Sequence, residues 1–104
     1  MIMQSRSVPV TVGQLRKLVA EGRRESRKQG NDSWSLVAAL IPSPTGDCFR
    51  LFAETVSGEE VAVLVTSRQV IRQFPDPKTA LRLVKQLGFA TARIKVDTWT
   101  PVGR

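Results

Sequence analysis

The sequence predicts a small α+β domain of order α-β-β-β-(β)-α-β, a mainly antiparallel sheet with helices on one face, and three observations carry the prediction. Two segments repeat apolar residues at helical spacing between capping residues. Short runs of strand-like composition lie between and after them, and turn residues separate the runs. The chain has 104 residues, enough for one core with a thin margin of stability, so a homo-oligomer is expected. The expected boundaries are a flexible N-terminus over 1–10, one domain over 11–99 and a loose tail over 100–104.

The first helix is predicted over about 12–29. Thr11 stands as its cap, Val12, Leu15, Leu18 and Val19 supply the apolar positions, and Gly30, Asn31 and Asp32 end it. Trp34 to Ile41 is a nearly continuous apolar run bounded by PSPTGD, which suits a buried strand, and Cys48 to Val56 reads as a second strand. Ser57-Gly58-Glu59 makes a short connection to a third, Glu60 to Thr66, so the three should form an antiparallel meander. RQVIRQF, 68–74, alternates in a way that favours a strand, either an extension of the third or a fourth after a bend. Asp76-Pro77 opens and Gly88 closes the second helix, with Ala80, Leu83, Val84 and Leu87 as its buried stripe. Ala90 to Trp99 alternates Ala92, Ile94 and Val96 against Arg93, Lys95 and Asp97, a final strand with one dry and one wet face. Phe49, Phe52, Phe74, Phe89 and Trp34 are expected in the core.

Sixteen Lys and Arg against nine Asp and Glu give a net charge of +7, a bias toward polyanionic partners. The excess is uneven: residues 1–30 carry seven bases and two acids, a net of +5, and residues 31–104 nine bases and seven acids, a net of +2. The absence of histidine removes the usual general base, a common zinc ligand and every Ser-His or Cys-His pair. No phosphate-loop motif follows a strand. Asp47, Glu54, Glu59, Glu60 and Asp97 fall at strand ends or turns and are expected as solvated acids. Cys48 is expected as a small buried hydrophobe. The expectation is a non-enzymatic protein without cofactor or metal. No apolar run is long enough to span a bilayer and the start lacks a signal-peptide core, so a cytoplasmic location is expected.

Two basic clusters are candidate nucleic-acid sites. On a helical wheel Arg16, Arg23 and Arg27 fall within about 40° of one another, and Lys17, Arg24 and Lys28 form a second stripe roughly 100° round. The apolar stripe is expected to stop near Gly22, because Ser and Gln occupy 26 and 29. The second half of the helix should then project as a basic arm, unless Glu21 and Glu25 pair with Arg24 and Lys28 and make it an ordinary solvated face. The secondary cluster is Arg50, Arg68, Arg72, Arg93 and Lys95 on the wet face of the sheet, with Trp99 as a stacking platform for a single strand. The main alternative is a protein-interaction module docking the basic helix on an acidic partner.

The stretch QFPDPKTALRLVKQLGFATARIKVDTW resembles the small plasmid-encoded ParC-type partition-associated proteins. The features that carry it are Phe74, Ala80-Leu81, Val84, Lys85, Leu87-Gly88 and Ile94 to Asp97, and TVGQLRKLVAEG is similar in flavour. The likeness covers roughly 10–29 and 60–99. It implies a plasmid-maintenance setting, with DNA or a partition protein such as its ATPase as partner, and brings no catalytic residues.

Overall fold

The structure is a computed structural model and describes residues 7–96. Its elements are β1 (Val8–Val10), α1 (Val12–Gln29), β2 (Val37–Pro42), β3 (Phe49–Glu54), β4 (Glu60–Leu64), β5 (Gln73–Phe74), α2 (Pro77–Leu87) and β6 (Ala92–Ile94). This is the predicted α+β class and order, with one strand added in front.

The cap chemistry of the sequence sets both helices. Thr11 accepts from the Gln14 backbone N–H while the Gln14 side chain accepts from the Thr11 N–H, a reciprocal capping box, and Gly30 closes α1 at φ 75°. Asp76 caps α2 through the Thr79 N–H at 2.9 Å, Pro77 takes the first turn, and Gly88 ends it at φ 95°.

The sheet runs β1-β4-β3-β2-β6. β2, β3 and β4 form the expected antiparallel meander, and each flanking strand, β1 on β4 and β6 on β2, joins in parallel. Alternation along the strands sends Ala38, Leu40, Phe49, Leu51, Ala53, Ala62 and Leu64 to one face. There they form a single core with Leu15 and Val19 of α1 and Ala80, Val84 and Leu87 of α2. Both helices therefore cover that one face.

Besides the final strand, which among the described residues runs only Ala92–Ile94 and leaves the expected dry-face residues Ile94 and Val96 exposed, four features depart from the sequence expectation. Residues 8–10 form a strand rather than part of a flexible terminus: Val10 is buried, and Val65 N–H donates to its carbonyl at 2.8 Å. Pro9 is compatible with this because β1 is an edge strand, where a missing donor is tolerated. The expected strand over 68–74 shrinks to Gln73–Phe74, which continues the line of β4 along β3. Residues 65–72 leave that line as a side excursion, closed by a Val65–Ile71 bridge and a turn with Gln69 at φ 67°. Val65 is buried at the base of the excursion, but Ile71 is only half-buried and Val70 is exposed, so the segment has no continuous dry face.

Trp34 lies outside β2 and is exposed rather than in the core, and Phe52, on the sheet face away from the helices, is half-buried. The fourth departure concerns α1. Gly22 and Ser26 prolong the stripe of Leu15 and Val19, since all four fall between about 40° and 100° on the wheel. A Cβ on Gly22 would lie 2.5 Å from the Trp34 carbonyl oxygen, so only glycine admits the 30–36 loop this closely. Ser26 is 6% exposed and its Oγ accepts from Ser35 Oγ at 3.0 Å. The second half of α1 is thus docked on a loop backbone, not projecting from the domain.

Candidate nucleic-acid interface

The docking of α1 decides which way its basic residues face. With the buried stripe centred near 80° on the wheel, Lys17, Arg24 and Lys28 fall at about 240–280°, directly opposite the core. Arg16, Arg23 and Arg27 fall at about 140–180°, along the flank beside α2. All six are exposed.

Their pairing is the informative part. Arg23 is committed to the protein: its Nη1 donates to the Gly88 carbonyl at 2.9 Å, tying α1 to the C-terminal end of α2, where unpaired helix carbonyls favour a cation. The side chains of Arg16, Lys17, Arg24, Arg27 and Lys28 have no hydrogen bond or ion pair among the described residues. The intrahelical pairs that would have made this an ordinary solvated face are not formed, because Glu25 Oε2 instead accepts from Gln29 Nε2 at 2.8 Å. Glu21 likewise makes no ion pair among the described residues. Five cations therefore stand on one docked helix without a neutralising carboxylate in contact among the described residues.

The secondary cluster is differently placed. Arg93 Nη1 reaches Glu54 Oε1 at 3.0 Å and Lys95 Nζ reaches Glu54 Oε2 at 3.5 Å, with Glu54 only 1% exposed beneath them. These are the ion pairs among the described residues, and Arg93 also donates to the Val56 carbonyl at 2.8 Å. Glu54 is thus not a solvated turn acid. The parallel pairing of β6 with β2 carries Arg93 and Lys95 over the end of β3, and two cations compensate one buried carboxylate. Arg50 shares the sheet face of Glu54, and its Nε is buried without a hydrogen-bond partner among the described residues.

Arg68 and Arg72 belong to the 65–72 excursion. Arg68 is exposed at the turn, while the Arg72 guanidinium sits over the Phe74 ring at 5.2 Å. The structure brings Arg93 and Lys95 together but does not gather the whole cluster. Trp99 and Asp97 lie outside the described residues.

The other polar candidates offer little chemistry. Cys48 is half-buried rather than buried, and desolvation together with the adjacent Asp47 charge pushes its thiol up, away from the reactive thiolate. Hydrogen bonds, chiefly from the Thr45 side chain, hold Asp47 below the usual carboxylate range. Among the described residues no three His, Cys, Asp or Glu side chains are grouped to hold a metal ion, and no helix is long and apolar enough to cross a membrane. No protein-family model, no curated protein and no solved structure matches the chain.

Proposed function

We propose that the protein is a non-enzymatic DNA-binding accessory protein that contacts phosphates through the exposed side of α1. The observation that carries this reading is the set of five cations, Arg16, Lys17, Arg24, Arg27 and Lys28, that are unpaired among the described residues, on a helix that is docked along its length. They spread over about 18 Å of helix axis and about 120° of its circumference. Duplex DNA carries a phosphate charge every ~1.7 Å of axis, so this surface spans several. Docking matters energetically as well. A frayed arm would lose conformational freedom on binding, whereas a helix already fixed by Leu15, Val19, Gly22 and Ser26 loses little. Arg23 contributes less, because one guanidinium nitrogen is already used by Gly88. The sheet face is the weaker site, since Glu54 offsets Arg93 and Lys95. The plasmid-maintenance setting implied by the resemblance belongs to the same proposal, with DNA as the polyanion it offers.

The test is the salt dependence of binding to a short duplex, followed by fluorescence anisotropy. Contacts from five cations release counterions with a log–log slope of about −4.5. A slope near zero overturns the proposal. Retention of an acidic protein partner after nuclease treatment, with no DNA affinity, would replace it with the interaction-module alternative.

A further inference from the structure

The Arg23–Arg27 flank of α1 forms one wall of a cleft of about 470 Å³, closed on the other side by the 30–36 loop and Ala90. Its volume falls within the usual range of small-ligand sites. The polar side chains that line it are mostly hydrogen-bond donors. Arg23 and Arg27 stand one turn apart, and the remaining nitrogens of Arg23 are not used by its single bond to Gly88. Ser26, at the base, accepts from Ser35 Oγ, while its own hydroxyl proton has no acceptor among the described residues. Asn31 Oδ1 accepts from the Ser33 backbone N–H at 2.9 Å, and from the Ser33 hydroxyl, which leaves its amide NH₂ as the uncommitted end. Asp32 is the one carboxylate of the lining among the described residues.

We infer that this cleft binds a phosphoryl group, held by Arg23 and Arg27 with the Ser26 hydroxyl and the Asn31 amide completing the donor set. Guanidinium forks match phosphate oxygens in pairs, and a buried hydroxyl with a proton to give favours an oxygen acceptor over a cation. Asp32 opposes the anion, so its neutralisation should tighten binding. The cleft is distinct from the outward stripe of Lys17, Arg24 and Lys28, and its occupancy does not depend on that stripe contacting a duplex. The phosphoryl group comes from a nucleic-acid strand or from a free nucleotide.

The experiment is a titration of the full chain at constant ionic strength, followed by amide NMR shifts of Gly30, Asn31 and Ser35. The probes are inorganic phosphate, adenosine monophosphate, and a short single-stranded oligodeoxynucleotide with and without a 5′-phosphate. Saturable shifts with inorganic phosphate and the mononucleotide identify a free ligand. Shifts with an oligonucleotide alone identify a strand phosphate, and either result supports the inference. Arg27→Ala should weaken the binding at least about tenfold through loss of charge-assisted hydrogen bonds, Asp32→Asn should strengthen it, and Lys78→Ala, an exposed cation at the start of α2 outside the cleft lining, should leave it unchanged. Circular dichroism checks that each variant is folded. The inference is overturned if no probe gives saturable shifts at these amides, or if Arg27→Ala and Lys78→Ala behave alike. Duplex binding without cleft shifts would remove the cleft and leave the DNA proposal standing; cleft binding without duplex affinity would do the reverse.

Discussion

Replacing Gly22 by alanine tests whether α1 is docked beyond its apolar half. In an unpacked helix this change stabilises by about 1 kcal/mol, because alanine loses less backbone entropy than glycine. Here the added Cβ would sit 2.5 Å from the Trp34 carbonyl oxygen, whereas a relaxed carbon–oxygen contact needs about 3.3 Å or more. Helix and loop must separate by roughly 0.8 Å, and the obstacle is backbone, which cannot rotate away as a side chain would. Such overpacking costs about 1–3 kcal/mol. The separation also stretches the Ser35–Ser26 hydrogen bond, worth about 1 kcal/mol. Taking a middle value for the overpacking and subtracting the propensity gain leaves a net loss of about 2 kcal/mol, which lowers the melting temperature by roughly 8–16 °C. Gly13→Ala is the matched control. It lies in the same helix with no atom of the described residues, its own stretch of helix backbone aside, within 4 Å of its added methyl, and should be neutral or stabilise by up to about 1 kcal/mol. Urea denaturation and thermal melting followed by far-ultraviolet circular dichroism measure both variants. If Gly22→Ala is as stable as the parent chain, the docking of the second half of α1 is refuted.

Three other outcomes follow from the same structure. Replacing Lys17, Arg24 and Lys28 together by alanine should leave the urea midpoint nearly unchanged, because none has a partner among the described residues, and should make the DNA salt slope shallower by about 2.7. Glu54→Gln removes the counter-charge of Arg93 and Lys95. Breaking a fully buried pair costs about 3–5 kcal/mol, but these cations are 40% and 47% exposed and can turn to water, so about 1–2 kcal/mol is expected from urea midpoints. Asp76 is held below the usual carboxylate range, first by the Thr79 backbone N–H, so its charged form stabilises the folded state. That contribution is complete above the ordinary aspartate value of about 3.9 and is lost as pH falls through the lowered folded value. Asp76→Ala should therefore melt lower than the parent near neutral pH, and thermal melts should converge in strong acid.

The α+β class, the bounds of both helices and the three-stranded meander were legible in the sequence. Caps, first-turn proline and terminal glycine act within a few residues, so Thr11, Gly30, Asp76, Pro77 and Gly88 state their roles locally. The uneven charge was legible for the same reason. What the chain alone did not disclose depends on partners far along it. β1 is three residues containing a proline, and it is a strand because β4, more than fifty residues later, receives it. Glu54 reads as a strand-end acid until β6 brings Arg93 and Lys95 across it. Gly22 and Ser26 read as the end of an apolar stripe, since a hydrophobicity pattern registers only side chains and their contact is the backbone and hydroxyl of Trp34 and Ser35. The sequence by itself determined that a strongly basic helix exists and where it begins and ends. Only the tertiary structure decided that this helix is held along its length, that one stripe of its cations faces water, and that the other borders a cleft, because those outcomes rest on close approach between segments that local propensity does not encode.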